Sequence, residues 1–262
     1  MTVTVVVDRS SWGRLRVTGG DRVRFLQGLT TVNVEQLADG AHSWGAILNP
    51  KGRVLSVISI TRLGARAGDS FVIACEPSIA DKTRALLERY AVMDDVVFEP
   101  ITGPAHQVWT DAASVWSAPI VDGAGANARD ERDADVERLR LHGGFLRYGA
   151  DVDEDHFPFE TPLARMLDYQ KGCYVGQEPV FRVHAQGNAA RTLRGFCIEG
   201  AQPVTAGATI KHPAKDNAGV VTSALVDGDT TIALGYLHRT AWTPGDTVEI
   251  DGRRAVTYEL PW

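Results

Sequence analysis

RTLRGFCIEG, residues 191–200, is where the chain changes character. On its C-terminal side VVTSALV (220–226), TIALGYL (231–237) and DTVEI (246–250) are strand-like runs without a helical repeat. Turn signals separate them at DGD (227–229), TPGD (243–246) and DGR (251–253). The tail from 193 to 262 therefore reads as a small antiparallel β-barrel.

On the N-terminal side helices and strands alternate. SWGRLRVTGG (11–20) is a strand and a glycine turn, followed by a helix capped by Asp21. Val23 and Leu26, three apart, and Phe25 and Leu29, four apart, give that helix a buried face. GRVLSVISITRL (52–63) and SFVIAC (70–75) form a hairpin around the loop GARAGD (64–69). EPSIADKTRALLERY (76–90) is a helix with Ser78 and Asp81 in capping-box spacing. DDVVFEP (94–100) and HQVWTD (106–111) are strands, and DGAGANARDERDAD (122–135) is an exposed loop of mixed charge. VERLRLHGGFLRYG (136–149) is helical, and the acidic turn ADVDEDHFPFE (150–160) follows it.

The 262 residues carry 27 Lys+Arg against 33 Asp+Glu, a net charge of −6 that argues against strong direct binding of nucleic acid. No run approaches the ~18 apolar residues of a membrane span, and MTVTVVVDRSSW lacks the basic lead and apolar core of a signal peptide, so a cytoplasmic monomer is expected. Cys75, Cys173 and Cys197 form no Cys-x-x-Cys pair, and neither a metal knuckle nor a disulfide framework is expected. Cys75 in SFVIACEP and Cys197 in GFCIEG read as buried small hydrophobes. Cys173 sits among glycines and a tyrosine, where a thiol is exposed, and the neighbouring Lys171 favours the thiolate.

KGCYVGQE (171–178) resembles the signature of the YgfZ branch of the glycine-cleavage T-protein superfamily, folate-binding proteins linked to the maturation of iron–sulfur enzymes. VTGGDRVRFLQGLTT (17–31), NPKGRV (49–54), RLRLHGGFLRYGADVDEDHFPFE (138–160), AGVVTS (218–223) and YELPW (258–262) are similar to other parts of that family. The resemblance implies an α+β fold: two related α/β modules around a central channel plus a C-terminal antiparallel β-barrel. It puts the first module at 1–50 and 137–192, the second at 51–136 and the barrel at 193–262.

It also implies tetrahydrofolate or a one-carbon derivative as cofactor, with Glu160 holding the pterin and Tyr174, Gln177, Glu178 and Arg182 completing the pocket. Cys173 and Lys171 are the reactive residues, and iron–sulfur client enzymes or assembly proteins are the partners. Arg165, Lys171, Arg182, Arg191 and Arg194 would welcome the anionic folate tail. The chain departs from the family at several places. KGRVLSVISI has Ser56 and Val57 where aminomethyltransferases carry a catalytic aspartate, Pro162 replaces a usual glycine, and His142 and Asn33 replace acidic residues. A folate-dependent accessory factor in cluster assembly or repair, serving tRNA-modifying enzymes among others, is expected. A folate-dependent one-carbon transferase is the alternative, which the missing acid disfavours.

Overall fold

The computed structural model describes residues 4–187, 189–241, 243 and 245–261. The last residue of YELPW and Pro244 of the TPGD turn lie outside the described residues. The fold is α+β and ends in a closed barrel.

Strand β1 (Val5–Asp8) belongs to a sheet completed only a hundred residues later. Strand β2 (Gly13–Thr18) enters a five-stranded sheet, and α1 (Arg22–Leu29) buries Phe25, Leu26 and Leu29 against it, as their spacing predicts. Asp21 does not cap α1. Its backbone is already in the helical region (φ −94, ψ 0), and its Oδ2 accepts instead from Asp95 N at 2.9 Å, tying the helix start to a distant loop. Strands β3 (His42–Leu48), β4 (Val54–Leu63) and β5 (Ser70–Cys75) follow, the last two as the anticipated antiparallel hairpin. A 3-10 turn over Pro77–Ile79 begins winding before α2 (Ala80–Tyr90), so Ser78 lies inside the turn and caps nothing.

Strand β6 (Val97–Pro100) closes the order β3-β4-β5-β2-β6. The module boundary expected at residue 50 falls within this sheet, because β3 and β4 are hydrogen-bonded neighbours on either side of it. Strand β7 (Ala105–Trp109), helix α3 (Ser114–Ser117) and strand β8 (Val121–Asp122) return to β1 in the order β1-β7-β8.

Helix α4 (Ala134–Gly143) starts at Asp133, whose side chain accepts from Asp135 N, and stops at Gly144, whose φ of 65° only glycine adopts freely. Buried Trp12, Trp44, Trp109, Trp116 and Phe145 pack against one another where the two sheets and α4 meet. Helix α5 (Gln177–Gln186) has no counterpart in the sequence reading.

Strands β9 (Arg191–Glu199), β10 (Thr209–His212), β11 (Lys215–Asp227), β12 (Thr230–His238), β13 (Thr247–Ile250) and β14 (Arg253–Tyr258) close into the barrel β10-β11-β12-β9-β14-β13. Asp251 and Gly252 both take positive φ in the β13–β14 turn, the mirror-image geometry that matches the twist of a tight hairpin.

Candidate functional site

The segment 168–176 is a strap fixed at both ends. Asp168 Oδ1 accepts from Gln170 N at 2.7 Å and Lys171 N at 3.0 Å, and its Oδ2 accepts from Asn33 Nδ2 at 2.6 Å. The Asn33 hydrogen bond is the largest influence holding this carboxyl below the usual range. An aspartate at 33 would set two carboxylates against each other, so the amide there follows from Asp168.

Lys171 turns inward and is 6% exposed. Its Nζ donates to the carbonyls of Thr30 and Val32, both at 2.7 Å, just past the end of α1, and stands 5.0 Å from the Tyr174 ring centroid. A cation suits the negative end of a helix. Burial pulls this ammonium down to about 7 against the opposing charges of Asp168 and Glu35. The sequence puts Lys171 beside the thiol as its activator, whereas two of its three donors go to carbonyls beneath the strap.

At the far end Val175 N donates to Gly28 O at 3.0 Å. Gly176 has φ 79°, and a side chain there would strike the Asn49 carbonyl and come within 3.1 Å of Gly52 Cα. Both glycines are expected to keep the segment open, but only Gly172 has free space around it; Gly176 is there for close approach. Tyr174 is buried, and its N–H donates to Gln177 Oε1 at 3.3 Å.

Between these anchors Cys173 is exposed, as expected. Cys75 is buried, and burial pushes its thiol up to about 11. Cys197 is exposed, contrary to the sequence reading. Alternation along β9 sends Phe196 and Ile198 into the barrel and Cys197 out of it. Iodoacetamide at neutral pH should therefore modify Cys173 and Cys197 and leave Cys75 untouched until the protein unfolds. Rapid modification of Cys75, or protection of Cys173, in a peptide map would contradict this arrangement.

The remaining candidate residues divide into two groups. Glu178 and Arg182 pair at 2.8 Å on the open face of α5, with side chains 84% and 65% exposed. Glu160 is 5% exposed and is partnered by Arg191. Arg191 Nε lies 3.1 Å from Glu160 Oε1 and Nη2 lies 3.4 Å from Oε2, while Phe157 N donates to Oε2 at 3.0 Å. The same guanidinium sits 5.0 Å over the Tyr236 ring and donates to Asp155 O at 2.9 Å. Adjoining residues Thr161 and Thr192 help line a cavity of about 190 Å³ together with Arg165, Arg194 and Glu259. Arg165 and Arg194 approach Glu259 at 3.0 and 3.8 Å, and the buried Thr192 hydroxyl has no hydrogen-bond partner among the described residues. The Arg191–Glu160 pair was not legible in the sequence; the one available signal was the run of positive residues that includes Arg191.

Ser56 is fully buried, its Oγ 2.7 Å from Thr83 Oγ1 on α2. The position where the sequence resemblance looks for a catalytic aspartate thus offers a hydroxyl committed beneath a helix. Among the described residues no three His, Cys, Asp or Glu side chains are grouped as metal ligands.

The five-stranded sheet, the three-stranded sheet and the closed barrel together form a fold shared with a solved aminomethyltransferase. The structure of glycine cleavage system aminomethyltransferase T from Bartonella henselae superposes with a TM-score of 0.78 at 19% identity, covering 98% of this chain and 86% of that one. The GCVT N-terminal domain family matches residues 2–110. An aminomethyltransferase of Halothermothrix orenii is 32% identical over 67% of this chain, which spans about half (48%) of that relative's length. The tRNA-modifying protein YgfZ of Yersinia pestis is 23% identical, covering 87% of this chain and 82% of its own. The chain is a YgfZ-type member of the glycine-cleavage T-protein superfamily.

Proposed function

We propose that the protein binds a reduced folate, tetrahydrofolate or a one-carbon derivative, and serves as an accessory factor in assembling or repairing the iron–sulfur clusters of client enzymes. Clients that modify tRNA fit its similarity to a tRNA-modifying relative. The observation that carries the folate assignment is the two-point contact on Glu160. A pterin presents a ring N–H beside an amino group, the same donor fork as a guanidinium. Arg191 occupies that carboxylate as a stand-in for the ligand edge.

The neighbouring 190 Å³ cavity is smaller than the ~300–1,000 Å³ usual for ligands of folate size. Ligand entry therefore displaces Arg191 and enlarges the cavity. The freed guanidinium of Arg191 then turns to the carboxylates of the folate tail, on the side of the cavity lined by Arg165 and Arg194. Arg182, on the open face of α5, suits a client surface better.

Cys173 is the working thiol, exposed at the crest of an anchored strap. One thiol supplies one of the ~four ligands of a cluster, so the other ligands come from the client or an assembly protein. Cys173 loses its proton to solvent and serves as a transient sulfur ligand to the client's iron.

The one-carbon transferase alternative needs an acid where Ser56 lies buried. Methylenetetrahydrofolate should not form from an aminomethylated carrier protein in a coupled assay with the purified protein. Turnover at the rate of a true T-protein would put the alternative first.

A further inference from the structure

A cavity of about 390 Å³ lies between the end of β5 and the segments flanking α4, lined by Glu76, Ser78, Glu131, Arg132, Arg147 and Tyr148 among others. It shares no lining residue with the cavity beside Glu160. Its charges are arranged by sign. The Glu76 carboxylate accepts a single protein hydrogen bond among the described residues, from Tyr148 N to Oε2 at 2.8 Å. Glu131 Oε1 accepts both the Arg9 guanidinium and the Trp12 indole N–H. Arg9 is buried beneath, held over the rings of Trp12, Trp109 and Phe145, and cannot reach outward. Among the described residues Arg147 is anchored through one nitrogen, Nη2 to Glu137 Oε2 at 2.9 Å, which leaves the rest of its fork for a ligand, and Arg132 is exposed at the same wall.

We propose that this cavity is a binding site for a small zwitterion of the α-amino acid class, its ammonium on Glu76 and Glu131 and its carboxylate on Arg147 and Arg132. A carboxylate with one amide donor in a low-dielectric pocket is under-solvated, and an ammonium repairs that deficit while the guanidinium fork matches a carboxylate. Burial pushes the Glu76 carboxyl up to about 7, with Glu131 pushing the same way and Arg147 and Arg9 opposing. An ammonium prefers the ionised form, so binding should tighten as the pH rises through that value and should release a proton. Affinity should rise about tenfold between about pH 6 and about pH 8.

The test is calorimetric titration of the full chain with each of the L-amino acids, repeated in buffers of different ionisation heat. At least one should bind one to one with proton release near neutrality. Glu76→Gln should weaken that binding by about tenfold or more and flatten its pH profile. Ser78→Trp blocks the mouth from an exposed turn without touching either carboxylate, and should abolish binding at an unchanged melting temperature. The proposal is overturned if no amino acid binds the parent, if Glu76→Gln keeps the parent's affinity and pH profile, or if ethanolamine binds as tightly as serine.

Discussion

Asp151→Ala is expected to lower stability by about 3–5 kcal/mol, the usual cost of removing one member of a buried, hydrogen-bonded ion pair. Asp151 is completely buried where α4 meets the barrel. Its Oδ2 accepts from Arg140 Nη1 at 2.6 Å and Arg147 N at 3.0 Å. Its Oδ1 accepts from Thr222 at 2.6 Å and Ser223 at 2.7 Å. Two consecutive strand residues ordinarily face opposite ways. Here a bulge between Val221 and Ser223 in β11 brings both hydroxyls to one carboxylate.

The Tyr236 hydroxyl adds a bond to the Asp151 carbonyl at 2.7 Å, so the residue joins body and barrel through side chain and backbone. Arg140 keeps its bidentate contact to Glu137 in the variant, but loses the second carboxylate that balances its burial. Denaturant unfolding should show the loss, and Glu178→Ala, which removes an exposed pair, should stay within about 0.5 kcal/mol of the parent. An Asp151→Ala protein as stable as the parent would mean that the seam is held by apolar packing alone.

Glu160→Ala should weaken tetrahydrofolate binding by about 30- to 150-fold, the equivalent of about 2–3 kcal/mol for hydrogen bonds to a charged acceptor. The six tryptophans make intrinsic fluorescence a direct readout. Arg191→Ala separates the two halves of the ligand. A tail-less reduced pterin should bind this variant at least as tightly as the parent, because the guanidinium competing for Glu160 is gone. Tetrahydrofolate with a polyglutamate tail should gain less, because a cation available to its carboxylates is gone as well. Undiminished folate binding by Glu160→Ala would make the carboxylate a brace for the Phe157 amide and Arg191, and would place the ligand elsewhere.

The barrel was legible because its cues are local: strand-like runs without a helical repeat over β9, β11 and β12, and Asp-Gly turns that need positive φ. The exposure of Cys173 was legible for the same reason, through its small neighbours. Cys197 was misread because apolar residues on both sides do not reveal which face a strand position takes; Phe196 and Ile198 face in, and the residue between them must face out. Helix α5 was obscured by Pro179, yet a proline in the first turn breaks no helical hydrogen bond, and Gly176 and Gly187 bracket the helix in left-handed conformations.

What stayed hidden depends on distant partners. Lys171 points inward because α1 ends with carbonyls that only the folded chain brings beneath the strap. The Glu160–Arg191 and Asp151–Thr222 contacts likewise join segments that no local pattern relates.

The most direct measurement of the central claim is complementation in cells lacking the native gene, with the activity of an iron–sulfur enzyme that thiolates tRNA as readout. The parent protein should restore thiolation. Cys173→Ser, which keeps the strap's anchors at Lys171 and Gly176, should accumulate to the same level with the same melting temperature and restore none. Full restoration by the serine variant would contradict the account, leaving Cys173 an exposed residue without a function in the strap that presents it.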